Sequence, residues 1–255
     1  MNHTKAYPFP ENSFSKLFEH EEKNWWFQSR NLILLFYISN KIPSFSKFLE
    51  VGCGTGFVLK ALFKKFPDKS FEGTEYSEEG LKYARLRLPK TKLTQRDATK
   101  MTEVECYDII GSFDVLEHIE QDKIVLENFH TALNSIGYLI LTVPQHMWLW
   151  SAVDEYSCHQ RRYTRYEMLK KLRDAGFYIE YDTSFVSLLC PLMFLSRRRY
   201  KNTKQITDPM SEFKIPRLLN WFFSRIMLLE ILLLKFGVRF PFGGSLLVIA
   251  KKIAK

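Results

Sequence analysis

Several familiar signals are missing from this chain. Its four cysteines, Cys53, Cys106, Cys158 and Cys190, include no Cys-x-x-Cys pair. That spacing excludes a zinc ribbon or a dithiol redox motif and reads as free thiols in a reducing compartment. The N-terminus, MNHTKAYPFPENSF, has no basic segment running into an apolar one, so a secretory signal is not expected. The apolar run LLNWFFSRIMLLEILLLKF (218–236) is broken by Arg225, Glu230 and Lys235, so a bilayer span is not expected either. There is no internal repeat, no low-complexity tract and no separate RNA-binding module, and no nucleic-acid partner is expected. Glycine is scarce, 11 of 255 residues, yet three of them fall within five positions.

Apolar residues make up 46% of the chain, enough for a large core and too much for wholesale disorder. Aromatics are abundant, with 22 Phe, 12 Tyr and 5 Trp, so much flat surface is buried or offered to a ligand. Lys and Arg exceed Asp and Glu by nine, which serves solubility or attracts an anionic partner such as a phosphate or a membrane surface.

Apolar spacing predicts helices over 24–42, 57–66, 77–88, 122–133 and 164–176, and strands over 47–54, 70–76, 107–116, 137–144, 177–185 and 243–253. Strands alternating with helices argue an α/β fold, a parallel sheet with helices on both faces. Residues 1–24 read as a loosely held arm, and 1–44 as an N-terminal helical arm or lid. The core then comprises 45–185 with 241–255. Residues 186–240 form an apolar helical insertion in the same domain.

The stretch FLEVGCGTGFVL (48–59) sets Gly52, Gly54 and Gly56 where a strand ends and a helix begins. Glycines there let a ligand approach the backbone, and the unpaired N–H groups of the helix start face it. The dinucleotide pattern G-x-G-x-x-G is absent, because Phe57 or Leu59 occupies its third glycine position, and no Lys-Ser/Thr of a P-loop follows. Glu75, nineteen residues past Gly56, ends the second strand, where an acid commonly holds a ribose diol. Asp97 follows a third candidate strand and could accept from the exocyclic amine of adenine. Ribose and adenine without a pyrophosphate point to a nucleoside cofactor.

In order and spacing, FLEVGCGTG, EGTEYS, QRDATKM, YDIIGSFDVLEHI and GYLILTVP resemble the class I S-adenosylmethionine-dependent methyltransferases. The resemblance implies a Rossmann-like, seven-stranded, mostly parallel sheet whose last strand, GGSLLVIAKK, is antiparallel. It also implies S-adenosylmethionine as cofactor. By that likeness Gly52, Gly54 and Gly56 lie under the amino-acid end of the cofactor and Glu50 near its ammonium. Glu75 with Tyr76 takes the ribose, Asp97 with Ala98 the adenine, and Ser112, Phe113 and Asp114 border the methyl group. Aspartate is the commoner ribose acid in the family; Glu75 reaches further.

Methyl transfer needs the acceptor atom held in line, and a base only where the acceptor must lose a proton. The run DVLEHIEQD (114–122) resembles that of the ubiquinone-biosynthesis O-methyltransferases, whose acid-x-x-Glu-His is linked to a divalent metal. His118 is therefore a candidate base, or Asp114, Glu117 and His118 candidate metal ligands. Alternatively His118 only bonds a neighbouring loop. The segment 145–169 adds His146, Asp154 and a further catalytic candidate, His159. It also supplies candidate acceptor contacts at Trp148, Arg161, Arg162 and Tyr163, joined by Trp25 and Trp26 near Arg30. Core packing and helix capping are the competing roles for these residues.

The insertion 186–240 combines apolar runs with Arg197, Arg198, Arg199, Lys201 and Lys204, which leaves a buried helix, a dimer interface or a peripheral membrane contact open. The resulting expectation is a cytoplasmic methyltransferase, peripheral at the inner membrane face if the insertion meets lipid. Its acceptor is a small molecule, methylated on oxygen, with a lipid-linked or prenylated compound in view. The alternative is a membrane-associated, cofactor-binding protein without transferase activity.

Overall fold

The structure, a computed structural model, describes residues 9–11, 13–202 and 215–253. Seven strands form one sheet: β1 (Lys47–Val51), β2 (Ser70–Glu75), β3 (Lys92–Gln95), β4 (Tyr107–Phe113), β5 (Leu133–Pro144), β6 (Phe177–Phe185) and β7 (Ser245–Lys252). Their order is β3-β2-β1-β4-β5-β7-β6. The pairs β1–β2, β1–β4, β2–β3 and β4–β5 are parallel, while β7 runs antiparallel between β5 and β6. The mostly parallel sheet with its antiparallel last strand is thus present.

The described helices are α1 (Ser13–His20), α2 (Trp25–Lys41), α3 (Phe57–Lys65), α4 (Glu78–Arg87), α5 (Asp122–Ala132), α6 (Ala152–Tyr156), α7 (Arg165–Asp174), α8 (Cys190–Asn202) and α9 (Arg217–Lys235). Short polar side chains start several of them. Asn24 accepts from Trp26 N at 2.9 Å, Ser77 from Gly80 N at 3.4 Å, and Thr164 forms a capping box with Glu167.

Alternating side chains split the core into two layers. Phe48, Ile109, Ile140, Leu247 and Ile249 face α2, α3 and α9. Leu49, Ile110, Leu141, Leu246 and Val248 face α5 and α7. Parallel strands covered on both faces bury successive side chains, as Phe48 and Leu49 of β1 and Ile109 and Ile110 of β4 do.

Two expectations change. The described part of the N-terminal arm is packed rather than loose. Phe14 is buried beside Gly80, and Glu21 of the following turn accepts from Arg87 and from Thr55 Oγ1, both at 2.6 Å. The strand expected to open at Gly137 opens at Leu133, where the last turn of α5 passes directly into the sheet. In the insertion, the side chains of Arg198, Arg199 and Lys201, and Lys204 itself, lie outside the described residues. Among the described residues no helix is long and apolar enough to cross a membrane.

Candidate active site

The carboxyl ends of β1, β2, β4 and β5 open on one edge, where open α/β sheets bind ligands. At the end of β1, Gly52, Gly54 and Gly56 have φ of 75°, 52° and 75°, values at which a side chain is strained. The turn is closed by Thr74 O, which accepts from Gly52 N at 2.7 Å and Cys53 N at 2.9 Å. A Cβ at Gly52 would meet Val115 Cγ2 at 2.4 Å, whereas one at Gly54 would meet nothing within 4 Å. The loop is packed behind Gly52 and open at Gly54.

Glu75 stands against this loop. Its Oε2 accepts from Gly54 N at 2.9 Å and its Oε1 from Ser77 N at 3.0 Å, leaving a further lone pair on each oxygen. Burial raises its pKa despite the bonds from Ser77 and Gly54. Tyr76 follows, its carbonyl accepting from Gln95 at 3.0 Å. Asp97 caps a turn: its Oδ1 accepts from Thr99 N and Thr99 Oγ1 at 2.9 and 2.7 Å, with Ala98 buried beside it. The carboxyl of Glu50 is buried with Oε2 unpartnered, and burial lifts its pKa to about 8 against the pull of Arg30. Ser112 Oγ is likewise buried and unpartnered, next to the buried Phe113.

Beyond β4 the chain turns through Asp114 at φ 58°. Asp114 Oδ2 accepts from Arg30 at 2.6 Å and from Thr142 Oγ1 at 3.0 Å. Asp114 is therefore an ion-pair partner of α2, and the structure does not gather it with His118 as a metal ligand. Glu117, His118 and His159 come together instead, with one ligand atom from each lying within 4.8 Å of the others. The two imidazole rings meet edge to face, their centroids 4.6 Å apart. His159 Nδ1 lies 2.8 Å from Asp154 Oδ1, and its Nε2 lies 4.0 Å from Glu117 Oε1. Burial, and then the charge of Asp114, push the Glu117 carboxyl well above the carboxylate range; its Oε2 has no partner. Burial also acts on Asp154, but the hydrogen bond from His159 and the charge of Arg162 outweigh it and hold this carboxyl well below its usual range.

Arg161, Arg162 and Tyr163, expected against an acceptor, each hold partners within the protein. Arg162 is buried and spans Asp154 with two bonds, at 2.7 and 3.0 Å. Arg161 reaches the other way, to Asp122 and to the carbonyl of Ile119, both at 3.0 Å. Tyr163 is fully buried and donates to Asp122 at 2.8 Å. All three fasten the loop after β5 to the body, because buried charges need partners and find them in these aspartates. Trp148, by contrast, is exposed, stacked on His146 and edge-on to Phe194. Trp25 packs edge-on to Phe223, and Trp26 lies under the Arg30 guanidinium at 4.7 Å.

Sequence reasoning passed over Asp154 as the group that orients His159. A signal was there: Ser151-x-x-Asp154 forms a capping box that fixes Asp154 five residues before His159 and eight before Arg162.

A family model described as a methyltransferase domain matches residues 44–210. Trans-aconitate 2-methyltransferase of Variovorax paradoxus is 28% identical over 104 residues, 40% of each chain. The mitochondrial ubiquinone biosynthesis O-methyltransferase of Candida albicans is 30% identical over 101 residues, 37% of this chain and 31% of that one. The matched stretch thus spans about 40% or less of these relatives. Among solved structures, a methyltransferase from Thermotoga maritima described as a possible histamine N-methyltransferase superposes with a TM-score of 0.58. It is 15% identical and covers 94% of this chain and 95% of its own, a likeness of fold.

Proposed function

The chain belongs to the methyltransferase domain family, with S-adenosylmethionine as its cofactor, and from that premise we propose that it methylates an oxygen of a small-molecule acceptor. When bound, the cofactor supplies an electrophilic methyl group on a sulfonium sulfur. One observation carries the reading: the loop left open at Gly54 adjoins the buried carboxylates of Glu50 and Glu75. The unpartnered oxygen of Glu50 suits an ammonium, and Glu75 retains acceptor capacity for a ribose diol. Asp97, beside Ala98, is assigned to the adenine. Tyr76, Ser112 and Phe113 line the same strand ends.

On the acceptor side, His159 is the proposed base. An ionised carboxylate at Nδ1 keeps the proton there and leaves Nε2 to accept one from an acceptor hydroxyl. Asp154 orients the ring, and the His118 ring packs on it edge to face. Exposed aromatics such as Trp148 suit an acceptor with an apolar tail, lipid-linked or prenylated. A second reading is favoured by the nearness of the ligand atoms of Glu117, His118 and His159. Two imidazoles and a carboxylate suit a divalent ion, with Asp154 orienting His159 from behind. Full transfer by chelator-treated enzyme would leave the base reading; loss restored by Zn2+ or Mn2+ would favour the metal.

The test begins with calorimetry. Wild type is expected to bind S-adenosylmethionine and S-adenosylhomocysteine, and Gly54→Arg and Glu75→Ala to lose both. No binding by wild type overturns the reading; binding without product from any hydroxyl acceptor leaves a cofactor-binding protein. With an acceptor in hand, His159→Asn is expected to lower kcat about a hundredfold.

A further inference from the structure

Helix α9 turns one apolar face inward and another outward. Met227, Ile231 and Leu234 join the core beneath α2. On the opposite side, positions 218, 222, 225, 229, 232 and 236 recur at helical spacing. Leu218, Phe222, Leu229, Leu232 and Phe236 are all exposed there, with Arg225 the single polar residue among them. This ridge is about 28 Å long at the rise of an α-helix. Soluble monomers rarely leave so continuous an apolar strip uncovered.

Charge decides what covers it. From Arg217 to Arg239 the only acid is Glu230, which is buried and accepts from Ser187 N and Leu188 N, both at 2.8 Å. The exposed ionisable residues are Arg217, Arg225, Lys235 and Arg239, all cationic. A second copy is a poor cover. A two-fold pairing centred on α9 would bring Arg225 of one copy toward Arg225 of the other and oppose no acid to any of the four cations.

We propose that this face docks on an anionic phospholipid surface, with α9 lying in the interface plane. Leucine and phenylalanine side chains would enter the acyl boundary, while Arg225 and Lys235 reach up to lipid phosphates along their aliphatic stems. Trp221, exposed near one end, suits the headgroup level. The docking does not rest on the transferase reading, but one consequence does. Asn220 of α9 accepts from Trp25 N at 2.9 Å and donates to Lys23 O at 3.0 Å. The N-terminal end of α9, through its inward side, therefore adjoins the start of α2, whose Arg30 pairs with Asp114. An acceptor carried in the membrane would reach the site from that edge.

The experiment is co-sedimentation of the full chain, without cofactor, with vesicles of phosphatidylcholine alone and of phosphatidylcholine mixed with phosphatidylglycerol. Binding to the mixed vesicles, weakened by salt, is expected. Leu229→Asp with Leu232→Asp is expected to weaken it about tenfold or more, and Arg225→Glu about fivefold. These side chains are exposed, so the variants are expected to keep the wild-type melting profile and S-adenosylhomocysteine binding. Wild type that ignores both vesicles overturns the proposal, as does a dimer that dissolves in the double variant. Equal binding by wild type and both variants also overturns it.

Discussion

Glu50 shows what a single buried carboxyl does to the behaviour of the chain. Its folded pKa is about 8, against an ordinary value of 4.5. The folded protein keeps a proton there that the unfolded chain gives up near pH 4.5, so this group's contribution to stability declines as pH rises from 4.5 to about 8. An ammonium beside it favours the ionised form instead. Cofactor binding at pH 7 is therefore expected to release about one proton, and affinity to climb with pH until about 8 and then level off. Calorimetry in buffers of different protonation enthalpy reads this directly; Glu50→Gln is expected to release none. The position of Glu50 at a strand end before the glycines was legible in the sequence. Its unpartnered oxygen was not, because burial depends on helices that come from elsewhere in the chain.

The loop between β5 and α7 is the element whose reading changed most. Its Trp, His and Arg content looked like a ligand surface, yet its basic residues are spent on internal aspartates. Arg162 neutralises a fully buried Asp154. Arg162→Met strands that carboxylate and is expected to cost about 3–5 kcal/mol, lowering Tm by about 10 °C. Arg161→Ala, on a more exposed pair, is expected to cost under about 1 kcal/mol. An Arg162 that gripped the acceptor would instead raise KM with Tm unchanged. Helix starts here were readable, since Thr164 and Glu167 stand three residues apart, the spacing of a capping box. The partners of Arg161 and Arg162 were not, because both aspartates were equally available to the linear sequence.

Across the whole molecule, four strand ends and two helices meet at one edge, and a ligand there ties them together. At a free concentration a hundredfold above Kd, S-adenosylhomocysteine is expected to add about 2.7 kcal/mol. In a chain of this size that raises Tm by about 5–10 °C, an increase that differential scanning fluorimetry would register and that Gly54→Arg should abolish. The topology makes the edge. With β7 inserted antiparallel between β5 and β6, the chain returns from α9 to a position one strand in from the β6 edge, and both apolar layers close around it.

The sequence by itself determined what depends on near neighbours. Glycines at 52, 54 and 56 permit a turn with positive φ, caps at Ser77 and Thr164 start helices, and alternation along each strand assigns it two faces. Those preferences act within a few residues, so they survive in the linear text. Tertiary structure alone decided partners: Arg30 with Asp114 across 84 positions, His159 with Glu117 and His118, and the outward face of α9. Each is chosen by burial, and what is buried is fixed only when distant segments pack and charged groups must find a counter-charge or remain in water.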